Sequence, residues 1–294
     1  MNTSVYQIIT ERIISLLEKN VIPWQVPWTI NNQPVQNLIT RKAYRGINVF
    51  LLSSLRYASP FFVSFKQTQD LGGNVKRGEK ACPVIYFKSL EVQNKETGKK
   101  EHVPVLRYYS VFSVTQCENI KIPVIDQPLR EHSPIEAAEK IVSSMPKRPE
   151  IKDGMSQAYY SPASDLVAMP SANTFKASED YYATLFHELT HSTGHESRLN
   201  RKGVAGSDGN WSAFGSNPYA REELIAEMGA AFLCGESGIV ERTIANSSAY
   251  IASWVQKLRE DSKILINASA QAQRAADWIL GKYQGQITEV PAQE

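Results

Sequence analysis

From residue 5 to residue 17 the apolar positions Val5, Ile8, Ile9, Ile13, Leu16 and Leu17 recur at helical spacing, with Glu11 and Arg12 on the other side. That period predicts an amphipathic helix capped by Thr3 or Ser4 and ended by Pro23. From there to about residue 132 the pattern shortens to apolar and aromatic runs, CPVIYF and PVLRYYSVFSV, on either side of KETGKK at 95–100. A β-hairpin is expected, with strands at about 82–92 and 101–113. Pro123, Pro128 and Pro134 then fall in one stretch that cannot propagate a helix and reads as a linker, after which Ser133 can cap a helix through Met145. YYSPASDLVAMP reads as a strand with a turn at its centre, and helical spacing dominates beyond Ser178.

Two of the later helices stand out. SEDYYATLFHELTHSTG offers Ser178 as cap, Glu179 and Asp180 in the first turn where they complement the helix dipole, and Gly194 as terminator. NPYAREELIAEMGAAFLCG offers Asn217 as cap, Pro218 at the first helical position and an end before Gly235. The predicted class is therefore α+β in two domains: residues 1–132, a linker and connecting helix at 133–150, and a mainly helical domain with a small sheet at 151–294.

A length of 294 residues suits two domains, and 42% hydrophobic with 21% charged residues excludes a disordered or fibrous chain. There is no apolar run of about 18 residues and no signal-type leader, so a soluble, cytoplasmic protein without a membrane partner is expected. Cys82, Cys117 and Cys234 are odd in number and far apart, which argues against a disulfide framework or a CxxC site and for buried free thiols. The net charge of +2 hides an asymmetry: residues 1–132 carry 17 Lys and Arg against 10 Asp and Glu, and residues 133–294 carry 15 against 20. A basic first half points to a polyanionic partner.

The candidate chemistry begins at His187 and His191. At i and i+4 their imidazoles project from one helical face and can converge on one tetrahedral ion. Glu188 lies about 100° round the helix, suited to take a proton from water rather than to ligate. Peptide hydrolysis needs that division: a Lewis acid, neutral nitrogens to hold it, and a carboxylate base. A third ligand is still required. Glu223 and Glu227 share a face of the later helix and resemble the ExxxD or ExxxE pattern of gluzincins. On that analogy Glu223 ligates and Glu227 hydrogen-bonds the outer nitrogen of a ligating histidine. The swapped assignment stays open, as does His195, although Gly194 should break the helix before it. Tyr219 or His195 is the candidate to stabilise an oxyanion. Three of the five histidines fall within nine residues, against a chance scatter. One divalent ion is expected: zinc suits two histidines and a glutamate, and manganese is also allowed.

In the basic half, Trp24 and Trp28, then Tyr44, interleave with Arg41, Lys42, Arg45, Lys66, Lys76, Arg77 and Lys80. Single-stranded nucleic acid is bound by that combination, with cations tracking phosphates and exposed rings stacking on bases. Against it, Phe50, Phe61, Phe62, Phe65, Tyr86 and Phe87 also suit a core. Gly72, Gly73 and Gly78 are too irregular for a phosphate loop.

Taken in order, PW, YRGIN, FKQ with LGGNVKRGEK, VFSVTQ, YYSPASDLVAMP, HELTHSTGH, RLNR and YAREELIAE resemble the ArdC antirestriction family along nearly the whole chain. The resemblance implies an N-terminal single-stranded-DNA-binding domain, shared with TraC-type conjugative primases, and a C-terminal zincin-like metallopeptidase domain. It implies a role on a mobile element, protecting incoming DNA from host restriction. It supports His187, Glu188 and His191 in the metal site and the Trp24–Lys88 region in DNA contact. A restriction endonuclease or another DNA-bound protein would be the target.

Overall fold

The computed structural model describes residues 4–26, 29–30, 33–93, 100–123, 133–201, 217–239 and 248–284. Helix α1 (Val5–Leu17) starts at Ser4, whose hydroxyl accepts from the Gln7 N–H at 3.2 Å while the Gln7 side chain accepts from the Ser4 N–H at 3.0 Å. This reciprocal cap fixes the first turn, so Ile9, Ile13 and Leu17 reach the core together. A short 3-10 turn, Pro23–Gln25, follows and carries Trp24 inward. Trp28 and most of the KETGKK turn lie outside the described residues.

Strands β1 (Thr29–Ile30) and β2 (Gln33–Pro34) form a small ribbon, and β3 (Gln36–Asn37) enters a four-stranded sheet with β4 (Phe61–Ser64). Between them helix α2 (Ile47–Ser53) is buried along its whole length. Helix α3 (Phe65–Asp70) leaves β4, and β5 (Asn74–Val75) pairs with β8 (Cys117–Glu118). The sequence-predicted hairpin is there: β6 (Cys82–Gln93) and β7 (Lys100–Ser113) pair antiparallel from Cys82↔Val111 to Gln93↔Lys100. The sheet order is β3-β4-β7-β6. Alternation explains which faces are buried: Cys82, Val84 and Val111 face the core, while Ser110 and Tyr108 are on the opposite, wetter face.

Helix α4 (Pro134–Ser144) is capped by Ser133, as its sequence predicts, with Glu136 closing the reciprocal pair. Strands β9 (Glu150–Lys152), β10 (Tyr159–Ser161) and β11 (Leu166–Ala168) make a small sheet in the order β10-β11-β9, so YYSPASDLVAMP is a hairpin. Among the described residues four helices follow: α5 (Ser178–Ser192), α6 (Asn217–Ser237), α7 (Ser248–Glu260) and α8 (Ile264–Ile279). Two helix ends differ from expectation. The residue before α5 is Ala177, with Ser178 already helical and no side-chain cap, and α6 includes Asn217 and runs through Gly235 to Ser237. A glycine inside a packed helix costs about 1 kcal/mol, which tertiary contacts here outweigh.

One hydrophobic core joins the two parts of the chain: α1 and α2 contribute Ile9, Ile13, Phe50 and Leu52, and α5, α6 and α8 contribute Phe186, Phe232 and Leu265. Phe50 stacks on Phe232 with ring centroids 4.8 Å apart, and the Thr10 hydroxyl donates to the Ser262 carbonyl at 2.8 Å. Residues before and after the proline-rich stretch therefore share one core. No described helix is long and apolar enough to cross a membrane. All three cysteines are buried thiols outside any disulfide, and burial pushes the Cys82 thiol up to about 11 and raises that of Cys117. Thiolate is the reactive form. Native protein at neutral pH should therefore resist a thiol-titrating disulfide reagent and release three equivalents in denaturant; prompt native reaction of Cys82 would contradict the buried placement.

Candidate metal centre

Helices α5 and α6 approach closely because residue 229 is glycine: a Cβ there would lie 2.4 Å from Thr190 Cγ2. That contact sets α6 against the His187–His191 face of α5. The nitrogens His187 Nε2 and His191 Nε2 are 3.1 Å apart, and Glu223 sends Oε2 to within 3.6 Å of the first and Oε1 to within 3.6 Å of the second. All three ligand-type atoms lie within 4.8 Å of one another. Ligands at roughly 2.0–2.2 Å from a tetrahedral ion stand about 3.3–3.6 Å apart, so the spacing and the donor set of two imidazoles and a carboxylate fit a divalent cation.

His191 is oriented from behind. Its Nδ1 lies 3.3 Å from Glu222 Oε1, and Arg201 grips the same carboxylate, Nη2 to Oε1 at 2.5 Å and Nε to Oε2 at 3.2 Å. A carboxylate on Nδ1 fixes the proton there and leaves the Nε2 lone pair for the site. Burial would raise the Glu222 carboxyl, but Arg201 and the hydrogen bond with His191 outweigh it and hold it below its ordinary value. Arg201 also donates to the Thr193 hydroxyl and to the Thr190 and His191 carbonyls, so it ties off the end of α5.

Glu227 is not the residue that orients a histidine, which corrects the expectation from sequence. Its Oε2 accepts from Trp24 Nε1 at 2.8 Å and from the Tyr250 hydroxyl. Burial pushes its carboxyl up, opposed by Tyr250, His187 and Trp24. The alternative ligand His195 is also corrected: its Nδ1 takes the Ser197 hydroxyl at 2.8 Å and it stands outside the cluster. Tyr219, one turn before Glu223, hydrogen-bonds that carboxylate, and its hydroxyl is pushed up to about 12 by burial and by the Glu223 charge. Glu188 is 8% exposed, and its charge is felt at His187 and Tyr219. Burial alone would lower the His187 pKa, yet the hydrogen bond with Glu223 and the charges of Glu188, Glu223 and Glu227 leave it raised. Carboxylates thus outnumber cations around this cleft among the described residues.

The expected DNA contacts divide. Trp24 is 2% exposed and Tyr44 is buried, so neither ring is on the surface to stack with a base, a correction whose cause is packing: Trp24 lies edge-on to Trp254 of α7, and Tyr44 edge-on to Phe62 of β4. Arg45 is ion-paired with Asp277 on α8. Arg41, Lys42, Lys66, Lys76, Arg77 and Lys80 are exposed; the Arg41 guanidinium lies 4.7 Å from the Phe61 ring centroid, and Lys76 Nζ donates to the Thr115 carbonyl at 2.9 Å. Phe65, one of the rings that by sequence also suit a core, is 54% exposed, and Tyr108 and Tyr109 are 46% and 38% exposed. Ser64 pairs with Val111, so Phe65 starts α3 beside the strand that carries both tyrosines.

Residues 136–271 match a zincin-like metallopeptidase family, and residues 3–112 match the N-terminal domain of the anti-restriction factor ArdC. DNA primase TraC of Escherichia coli is 33% identical over 97% of the chain, which spans 28% of that primase's length. The uncharacterized protein y4eC of Sinorhizobium fredii is 31% identical over 94% of the chain and 92% of its own length. Two crystal structures of the antirestriction protein ArdC from plasmid R388, one metal-free and one Mn(II)-bound, superpose with a TM-score of 0.73 at 32% identity, covering 96% of this chain and 100% and 99% of theirs.

Proposed function

We propose a function from one premise: the chain belongs to the ArdC antirestriction protein family. It protects DNA entering a cell on a mobile element from restriction, binds single-stranded DNA through its basic N-terminal half, and carries a metal-dependent peptidase site. The observation that supports the site most directly is the convergence of His187, His191 and Glu223 within 4.8 Å, with Glu188 beside them. His187, His191 and Glu223 would hold the ion; zinc suits them, and the Mn(II)-bound R388 protein favours manganese equally. The ion, when bound, supplies Lewis-acid polarisation of a peptide carbonyl and of water. Glu188 takes the proton from the attacking water and passes it to the leaving amine. Tyr219 turns its hydroxyl from Glu223 to the developing oxyanion. The target on this reading is a protein bound to the incoming strand, a restriction endonuclease among the candidates.

For DNA, the exposed cations Arg41, Lys42, Lys66, Lys76, Arg77 and Lys80 support phosphate contact, and Phe65 and Tyr108 support base stacking in place of Trp24 and Tyr44. Full-length protein is expected to prefer single strands and to weaken steeply with salt. Equal affinity for an uncharged-backbone analogue would count against this. Glu188→Gln, which keeps the cleft's shape and removes the base, decides the role of catalysis: proteolysis and protection of transferred DNA should fall together. Full protection without proteolysis would make the chain a DNA-binding protector with a structural ion. His187→Ala should lose the metal on elemental analysis, and unchanged metal content would remove the site.

A further inference from the structure

Glu223 and Glu227 are one helical turn apart on the same face of α6, yet only Glu223 reaches the two imidazoles. The difference lies in what holds Glu227. Trp24 Nε1, from the 3-10 turn Pro23–Gln25, and the Tyr250 hydroxyl, from α7, both donate to the same oxygen, Oε2. Neither donor is free to swing: Trp24 packs edge-on against Trp254 with centroids 6.1 Å apart, and Tyr250 does so at 6.3 Å. Glu227 is nonetheless near enough to His187 for each to feel the other's charge.

We propose that Trp24 and Tyr250 are positioning residues that hold Glu227 back from the ion and so keep the ligand set at His187, His191 and Glu223. The proposal rests on the metal reading above. A buried carboxylate deprived of its donors gains most from another charged partner, and the ion would lie one turn away along the same face of α6, at Glu223. A fourth protein ligand would matter, because three-ligand sites exchange water and substrate whereas four-ligand sites are closed and structural. Trp24 belongs to the N-terminal half, so the centre stays at three ligands only while that half is docked on α6 and α7.

The test uses full-length protein loaded with Mn(II) and water-proton relaxation, which reads exchangeable water on the bound ion without any peptidase assay. Tyr250→Phe and Trp24→Phe are each expected to lose inner-sphere water relative to wild type and to bind the ion more tightly. Adding Glu227→Gln to Tyr250→Phe should restore the wild-type relaxation, because an amide keeps the shape and is a poor ligand. Should Trp24→Phe fail to fold, Tyr250→Phe, which removes one hydroxyl, carries the test alone. Wild-type relaxation in the single variants, or a loss that persists with Glu227→Gln, overturns the proposal. Failure of wild-type protein to bind Mn(II), seen before any variant is made, overturns the metal reading and this one with it.

Discussion

Arg201→Met is expected to cost on the order of 3–5 kcal/mol of folding stability, because it leaves Glu222 buried and ionisable without its cation. Both Glu222 oxygens are held by Arg201, and the other contact among the described residues is the His191 imidazole at 3.3 Å. Methionine fills much of the aliphatic volume, so the loss is electrostatic rather than a cavity. The guanidinium's bonds to the Thr190 and His191 carbonyls go as well, which leaves the end of α5 with fewer side-chain donors, Arg198 on the Ser192 carbonyl among those that stay. Urea unfolding at neutral pH measures the loss. The double variant Arg201→Met with Glu222→Gln should recover part of it, since the amide carries no charge and its carbonyl can still accept from His191 Nδ1. A single variant within about 1 kcal/mol of wild type would mean that Glu222 is solvated in solution and that the clamp on His191 does not exist.

That clamp shows where the sequence runs out. Helical spacing and the caps Ser4 and Ser133 place α1 and α4 correctly because those signals are local: a side chain bonds its own first turn. The hairpin of β6 and β7 and the pairing of His187 with His191 are local for the same reason. Choosing among Glu222, Glu223 and Glu227 is different. Neighbouring residues on a helix point about 100° apart, so their roles depend on how α6 is rotated against α5, which no spacing within α6 reveals. Arg201 ends the RLNR motif that follows the histidine helix, but nothing in that spacing shows that it grips Glu222. Trp24 misleads in the opposite sense: an aromatic near arginines and lysines suits a base-stacking surface, but α6 and α7 close over it and turn its indole N–H to Glu227. Phe65 fails conversely, since it lies at the junction of β4 and α3, where neither the strand period nor the helix period decides which way it faces.

The rotation of α6 is itself set by one small residue, and Gly229→Ala should show it. The added Cβ would lie 2.4 Å from Thr190 Cγ2, 2.7 Å from its Oγ1 and 3.1 Å from its Cβ. Thr190 cannot yield, being buried on α5 with its hydroxyl bonded to the Phe186 carbonyl at 2.7 Å. Alanine favours a helix over glycine by about 1 kcal/mol, yet overpacking a dense interface costs roughly 1–3 kcal/mol, so a net loss is expected. The larger consequence is at the site. Thr190 directly precedes His191, and Gly229 lies within two turns of Glu223, so parting the helices at this contact lengthens the 3.6 Å approaches of Glu223 to both histidines. Metal affinity should fall further than stability does. Thr190→Ala removes the two nearest clashing atoms, and the pair Gly229→Ala with Thr190→Ala should regain metal affinity that neither the temperature nor the denaturant midpoint alone explains. Chelator competition on the four proteins of that cycle measures the coupling. Strict additivity would mean that the helices are spaced by something other than this contact.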